Sequence, residues 1–196
     1  LHLCHHNLES IETNNYDSDN AKHNLLLEVC MAAKYEGDSI KDYYPEHQLT
    51  NHGFHTNICT VLARSFADIG DIVRGKDLFL GNDKEKEKRD ELDDKLKKIF
   101  GHIYEELTTT RGKNGQKSAK AKDRYGSDTT NFFQLREDWW NANRQEIWKA
   151  ITCNAQGFKY FRPTCAGVKR TQTQDNCQCI GGEVPTYFDY VPQFLR

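Results

Sequence analysis

The sequence lacks any long run of apolar residues: no segment approaches the roughly 18 that a membrane-spanning helix requires. It also lacks an excess of positive charge, since 27 lysines and arginines face 29 aspartates and glutamates. This balance excludes a uniformly basic nucleic-acid-binding protein, although it permits a local basic patch. The first residues show no basic start followed by an apolar stretch, which is the pattern of a secretory signal. Any export or anchoring segment is therefore expected outside this chain.

Signature motifs of several enzyme classes are missing as well, among them GxSxG, the Walker A loop and GxGxxG. One stretch, SFADIGDIVRG (65–75), places Asp68 and Asp71 three residues apart on one side of a predicted helix. The pair is either a metal-binding or acid–base site, or the polar side of a framework helix. The first interpretation needs converging ligands from a second element. The acidic run 90–94 is explained by solvation, so the sequence gives no positive case for an enzyme.

Histidines and cysteines occur together at two places, where they resemble a partial zinc site. The two groups are His52, His55 and Cys59, and Cys4, His5 and His6. Neither group has a second ligand pair at a supporting distance, and Cys59 is more valuable in a disulfide bond. We therefore expect no bound metal and no cofactor.

The chain has seven cysteines but no CxxC pair. The closest two, Cys177 and Cys179, are separated by one residue, so in an extended chain they point the same way and should have separate partners. We interpret the cysteines as a disulfide framework in an extracellular setting. Because the count is odd, one cysteine is expected to pair outside the chain or to remain free.

Hydrophobic periodicity predicts a mostly helical protein. Helices are expected over 24–35, from Thr56 through the ADIGD motif, along the charged run 84–98 and beyond it, and within 131–153. The third helix has a narrow apolar seam made of Leu92, Leu96, Ile99, Ile103 and Leu107. Glycine and proline predict a turn at 36–45, and the segments 45–57 and 108–128 are predicted to be loops, the second of them mobile. After Cys153 the chain is expected to be irregular and pinned by cystines.

The segment 111–124 carries six cations and one anion on a glycine-containing stretch. Its cations are Arg111, Lys113, Lys117, Lys120, Lys122 and Arg124. Such a loop is suited to a polyanion, and binding would then weaken as salt rises; the alternative is a solubilising surface loop. Four further cations extend the track if the helix that carries them packs back toward the loop: Lys84, Lys86, Lys88 and Arg89.

Three longer blocks, in this order and spacing, closely resemble the Duffy-binding-like adhesion domain. They are LARSFADIGDIVRGKDLF (62–79), REDWWNANRQEIWKAITC (136–153) and VPTYFDYVPQFLR (184–196). The variant is similar to the alpha class at the head of the erythrocyte membrane protein 1 family of the malaria parasite Plasmodium falciparum. A further block, EVCMAAKYEGDSI (28–40), is similar to the opening of that domain's second subdomain.

The resemblance implies an all-α fold: a disulfide-stabilised helical bundle with long irregular loops. Residues 1–20 would be the loop-rich end of subdomain one, 21–190 the bundle of subdomain two, and 191–196 the start of a third subdomain that is otherwise absent. It further implies that the ADIGD aspartates belong to a framework helix and are structural.

The resemblance also implies a function in adhesion rather than catalysis. Domains of this kind lie on the surface of the infected erythrocyte and bind host receptors, and the alpha class is linked to rosetting. Candidate partners are heparan-sulfate-type glycans, blood-group sugars and complement receptor one on host erythrocytes, together with antibodies, but not nucleic acid. Membrane anchoring would use segments outside this chain. The alternative is a structural spacer whose neighbouring domains bind the ligand.

A disulfide pairing follows from the resemblance as well. In related domains the cysteine that opens the ADIGD helix bonds to one just before the YVPQ segment. The implied bonds are Cys59–Cys179, Cys30–Cys153 and Cys165–Cys177, which leaves Cys4 for a partner upstream of Leu1.

Overall fold

A computed structural model describes residues 8, 21–50, 57–78, 82–109 and 115–196, with side chains for all of these except 46–50, 115 and 116. It contains α1 (Ala21–Thr50), α2 (Ile58–Arg74), α3 (Asp83–Thr108), α4 (Gly115–Tyr125) and α5 (Phe133–Ile151), followed by short 3-10 helices at Phe188–Tyr190 and Gln193–Leu195. Within these ranges the only β structure is two isolated bridges. The predicted all-helical fold is confirmed. None of the described helices has a stretch both long and apolar enough to cross a bilayer.

Helix α5 lies at the centre of the bundle because its tryptophans contact two different neighbours. Trp139 packs edge-on against Phe100 of α3, with ring centroids 6.0 Å apart. Trp140 and Trp148 pack against Phe66 of α2 at 5.1 and 5.3 Å. Consecutive helical residues project about 100° apart, so the adjacent tryptophans serve two helices at once. These large rings are buried, and their burial removes apolar area from water.

The ends of α2 and α3 follow the expected capping chemistry. The Asn57 side chain accepts a hydrogen bond from the Cys59 amide at the start of α2. At the start of α3, Asn82 and Glu85 form a reciprocal capping box, and the acidic first turn suits the positive end of the helix dipole. The predicted apolar seam of α3 is also confirmed: Leu92, Leu96, Ile99 and Ile103 are buried, and Leu107 packs against the core.

Helices α1 and α5 run in the same direction and touch through a glycine. Leu26 of α1 and Trp139 of α5 line one groove. Further along both helices, a Cβ added at Gly37 would lie only 2.0 Å from the main-chain oxygen of Ile151. Beyond that point the Asn154 side chain donates a hydrogen bond to Asp38 at 2.6 Å. The absence of a side chain at Gly37 therefore sets how closely the two helices pack.

The turn predicted at 36–45 is wrong, because α1 continues through it to Thr50 and includes Pro45. Ile40 and Tyr44 are buried one turn apart on α1, and Tyr44 packs edge-on against Phe158, beyond the end of α5, with ring centroids 5.6 Å apart. Tertiary packing thus overrides the local preference of glycine and proline. The predicted loop 45–57 is helical as far as Thr50 and outside the described residues from 51 to 56.

The mobile loop predicted at 108–128 is also wrong for its second half, which is α4. The segment contains alanine, glutamine, lysine and arginine, which are good helix formers despite its loop-like glycine and serine. The buried Ser118 hydroxyl donates to the main-chain oxygen of Thr108 and fastens α4 to the end of α3. At the other end Arg124 and Tyr125 both donate to Asp138 of α5.

Replacing Gly37 by alanine tests the close contact of α1 with α5. The added methyl group would overlap a main-chain atom that cannot rotate away, so we expect a loss of about 1–3 kcal/mol in unfolding free energy. Gly101→Ala is the matched control, because a carbon added at this mid-helix glycine would lie 3.8 Å from the nearest atom outside its own stretch of helix, the Phe132 ring. That control should be neutral or stabilising by up to about 1 kcal/mol. Denaturant unfolding of both variants measures this, and a Gly37→Ala protein as stable as the parent would contradict the contact.

Candidate functional site

The two aspartates of the ADIGD motif lie beside arginines. Asp71 is buried, and its carboxylate pairs with Arg74, 3.0 Å away, and with Arg196. Asp68 is partly exposed and lies 3.4 Å from the Arg196 guanidinium. Burial raises the pKa of Asp68, and the positive charge of Arg196 partly offsets this. Both carboxylates therefore hold the last residues of the chain against α2, as expected for framework residues, although Asp71 is not on a solvated side of the helix.

Asp189 brings together the three blocks that carry the family resemblance. Its buried carboxylate accepts hydrogen bonds from the Trp140 indole at 2.9 Å and from two nitrogens of Arg144 at 2.7 and 2.8 Å. Its main-chain oxygen accepts from Arg74 at the end of α2. Gly70 completes the arrangement, because a Cβ there would lie 2.7 Å from the Trp140 ring. We call these contacts the Asp189 clasp; they join α2, α5 and the C-terminal segment.

Arg136 forms a second buried charge site, between α2, α3 and α5. Its fully buried guanidinium donates to the last carbonyls of α2, those of Val73 and Ile72, at 2.7 and 3.1 Å. It also lies 2.8 Å from Asp93 of α3. Burial lowers the pKa of Arg136, whereas the charge of Asp93 raises it. Neither the role of Arg136 nor the Asp189 clasp was identified from the sequence. The signal that could have indicated both is the presence of arginine and aspartate in sequence blocks that are otherwise rich in aromatic residues.

The predicted cations of the basic segment do not form one continuous face. Arg111 and Lys113 lie outside the described residues. Lys117, Lys120 and Arg124 share one side of α4, whereas Lys122 projects about 140° away from Lys117. Arg124 is occupied, because its guanidinium makes two hydrogen bonds to Asp138, at 2.6 and 2.9 Å. Lys117 and Lys120 remain exposed and adjacent.

The four cations of α3 do not extend that surface. Helix α4 packs against the C-terminal end of α3, where Gly126 lies near Tyr104. Arg89 is 15 residues away along α3, which corresponds to about 22 Å, and it pairs with Asp77. Lys84, Lys86 and Lys88 are exposed but alternate with carboxylates, several of which line one shallow depression: Asp83, Glu87, Asp90, Glu91 and Asp94. The carboxylates around these lysines would repel a polyanion, so this part of α3 is not suited to binding one.

Among the described residues, one group brings three side chains of metal-binding type close together, namely Cys165, Cys179 and Glu183. Its two sulfur atoms are bonded to each other, so neither is a thiolate ligand. The two histidine groups considered as zinc sites fall outside the described residues, except for Cys59, which is in a disulfide bond.

The disulfide bonds are Cys59–Cys177 and Cys165–Cys179, so the predicted partners of Cys59 and Cys165 are exchanged. The separate partners expected for Cys177 and Cys179 are confirmed. Cys177 is the inner of the two: its main-chain oxygen accepts from the buried Trp148 indole at 3.2 Å, near the core where α2 begins. Cys179 lies two residues further out, beside the loop that carries Cys165.

The predicted Cys30–Cys153 bond is also wrong, since both residues are free cysteines. In the register of α1 on α5, Cys30 lies level with residues near 144, as its interaction with Glu146 also indicates. Cys153 is therefore about 13 Å further along the bundle, beyond the reach of a disulfide. Burial and then Glu146 raise the pKa of Cys30 to about 11, which favours the protonated thiol at neutral pH. Cys4 lies outside the described residues.

Comparison with known proteins agrees with the blocks described above. The family described as the Duffy binding domain matches residues 1–196. The solved NTS-DBL1(alpha-1) domain of Plasmodium falciparum membrane protein 1 (PfEMP1), varO strain, is 41% identical with a TM-score of 0.72, over 99% of this chain and 40% of that one. An ICAM-1-binding PfEMP1 DBLbeta domain is 31% identical with a TM-score of 0.70, over 100% and 39%. The same type of domain bound to ICAM-1 is 29% identical with a TM-score of 0.65, over 99% and 40%.

This chain thus spans about 40% of the length of these solved relatives. Among curated protein sequences, none matches it significantly.

Replacing Asp189 by asparagine tests the clasp. The change removes the buried carboxylate and leaves the partly buried Arg144 without its counter-charge, so we expect a loss of about 3–5 kcal/mol in unfolding free energy. Asp175→Asn is the matched control, because Asp175 is exposed and its ion pair within the described ranges is with Lys159, at 3.3 Å. Its loss should not exceed about 1 kcal/mol. Equal losses in the two variants, measured by denaturant unfolding, would refute a structural role for the clasp.

The contact between α4 and α5 should depend on pH through Asp138. Hydrogen bonds from Arg124 hold the pKa of this carboxyl below its ordinary value of 3.8. Its stabilising effect is therefore fully present above pH 3.8 and is lost as the pH falls through the lowered pKa. We expect the melting temperature of Asp138→Asn to lie below that of the parent at pH 7, with a difference that shrinks below pH 3.8. Asp123→Asn, an exposed change on α4, controls for net charge, and a pH-independent difference would contradict the assignment.

Proposed function

Because this chain belongs to the Duffy binding domain family, we propose that it is an adhesion module of a variant surface antigen. In this proposal it is displayed on the infected erythrocyte and binds host-cell receptors or glycans. The observation that carries the proposal is the combined likeness in sequence and fold to a PfEMP1 domain, 41% identity over 99% of the chain. The DBLbeta relatives named for ICAM-1 binding support it, because they place receptor binding on the same fold.

The ligand class is proposed from the surface rather than from the framework. Many residues of the blocks that identify the family are engaged in the Asp189 clasp and the aromatic core, so those residues are not available to a ligand. Lys117 and Lys120 are exposed on α4 and have no ion pair among the described residues. We propose that they contact sulfated, heparan-sulfate-type glycans. Blood-group sugars, complement receptor one and a protein of the ICAM-1 kind are the further candidate ligands.

Adhesion of human erythrocytes to beads that carry the whole chain tests this function. We expect binding that soluble heparin inhibits and that Lys117→Gln/Lys120→Gln reduces by roughly threefold or more, since exposed charge contacts are individually weak but act together. Lys84→Gln/Lys86→Gln is the matched control: it removes the same charge from a helix rich in carboxylates and should leave adhesion unchanged.

Two outcomes would reject parts of this proposal. If the folded chain binds neither erythrocytes nor heparin, the alternative of a structural spacer is favoured and ligand binding belongs to neighbouring domains. If heparin inhibits adhesion but both double variants behave like the parent, the glycan site is not on α4.

A further inference from the structure

A basic segment outside the predicted track has the more favourable electrostatics for an anionic ligand. Residues 157–174 contain four cations and no aspartate or glutamate: Lys159, Arg162, Lys169 and Arg170. These four charges leave a net charge of −6 on the rest of a chain whose total is −2. We infer that residues 159–173, which we call the basic hairpin, form the principal sulfated-glycan site of the described chain. This inference rests on the proposed function and assigns its main contact surface.

The basic hairpin is fixed by covalent and hydrogen bonds at its base. Cys165 and Thr171 exchange both of their main-chain hydrogen bonds, at 3.0 and 3.2 Å. Cys165 is bonded to Cys179, and the amide of Ala166 donates to the Glu183 carboxylate at 2.7 Å. Further down, the Tyr160 amide donates to the Thr173 hydroxyl at 2.8 Å and joins the two arms. A loop held in this way loses little conformational entropy when it binds.

The tip of the hairpin presents charge that nothing in the described part of the chain neutralises. Lys169 and Arg170 are exposed, and no ion pair involves either of them within the described ranges. Arg162 lies over the half-exposed Phe161 ring at 5.2 Å, and Val168 between the arms is fully exposed. Lys159 pairs at 3.3 Å with Asp175, but both side chains are exposed, so this contact exchanges readily with solvent.

The other two basic segments are weaker candidates for physical reasons already given. On α4 one arginine is committed to Asp138 and one lysine projects away, whereas on α3 the lysines alternate with carboxylates. In the basic hairpin three of the four cations have no ion pair among the described residues. The two carboxylates at its base are engaged, because Glu183 accepts from a main-chain amide and Asp175 pairs with Lys159.

The chemistry of the surface favours a sulfated sugar chain. Two adjacent cations with no carboxylate on either arm suit closely spaced sulfate groups, which keep their charge at all physiological pH values. The exposed Phe161 ring beside Arg162 offers a flat apolar surface to the carbon face of a sugar. An acidic protein surface is a different ligand, and the experiment below distinguishes it.

Binding of heparin to the whole chain, measured by titration at several salt concentrations, tests the inference. We compare the parent with Lys169→Gln/Arg170→Gln and with Lys117→Gln/Lys120→Gln, which remove equal charge. The hairpin variant should raise the Kd roughly threefold or more, and more than the α4 variant does. It should also reduce the salt slope, log Kd against log salt, by about 1.4, on the basis of about 0.7 per contact with a flexible polyanion. Hyaluronan, which carries carboxylates but no sulfates, should bind the parent weakly.

The outcomes separate failure of the inference from failure of the proposed function. A parent that binds neither heparin nor erythrocytes rejects both. Heparin binding that the hairpin change leaves unaltered rejects the inference alone. Adhesion that the hairpin change abolishes, but that survives enzymatic removal of heparan sulfate from the cells, identifies an acidic protein surface and overturns the glycan assignment. Unchanged melting temperatures confirm that the variants fold, since the altered side chains are exposed.

Discussion

The carboxylate of Asp189 is the point at which the separate parts of this chain become one structure. It is buried, so its charge is tolerated only because Arg144 and Trp140 donate to it from one helix while Arg74 binds the adjacent main chain from another. Each of the three sequence blocks that resemble the Duffy-binding-like domain supplies one or more of these groups. The three blocks that carry the family resemblance are therefore in contact with one another in the folded chain.

This arrangement separates the fold from the surfaces that meet a ligand. Charged side chains that stabilise the bundle are buried and paired, as for Arg74, Arg136 and Asp71. Those proposed for binding are exposed and have few contacts, so substitutions among them change stability little. A surface of this kind is able to change its ligand preference while the clasp and the aromatic core remain the same.

Helices whose apolar residues recur at helical spacing were predictable from sequence. The seam of α3 followed directly from periodicity, since this helix buries one face against its neighbours. The continuation of α1 was not predictable locally, because Gly37 is indistinguishable in sequence from a turn glycine until Ile151 is placed against it. Helix α4 was predicted to be a loop because its composition resembles one. Its helical structure is supported by contacts at both ends, made by Ser118 and Arg124. The disulfide partners depend on whether Cys177 or Cys179 faces the core, and the resemblance to the family did not predict this correctly.

The parallel packing of α1 and α5 has a consequence for how the chain folds. Asn154 and Asp38 meet across a sequence separation of 116 residues, and Cys59 meets Cys177 across 118. Parallel neighbours are not joined by a tight turn, so this contact closes a long loop of intervening chain at a cost in conformational entropy. Folds dominated by such long-range contacts cross their transition state slowly. During synthesis the apolar face of α1 is made well before α5, so it lacks this partner for an interval. In an oxidising compartment, cysteines can form non-native disulfide bonds during the same interval.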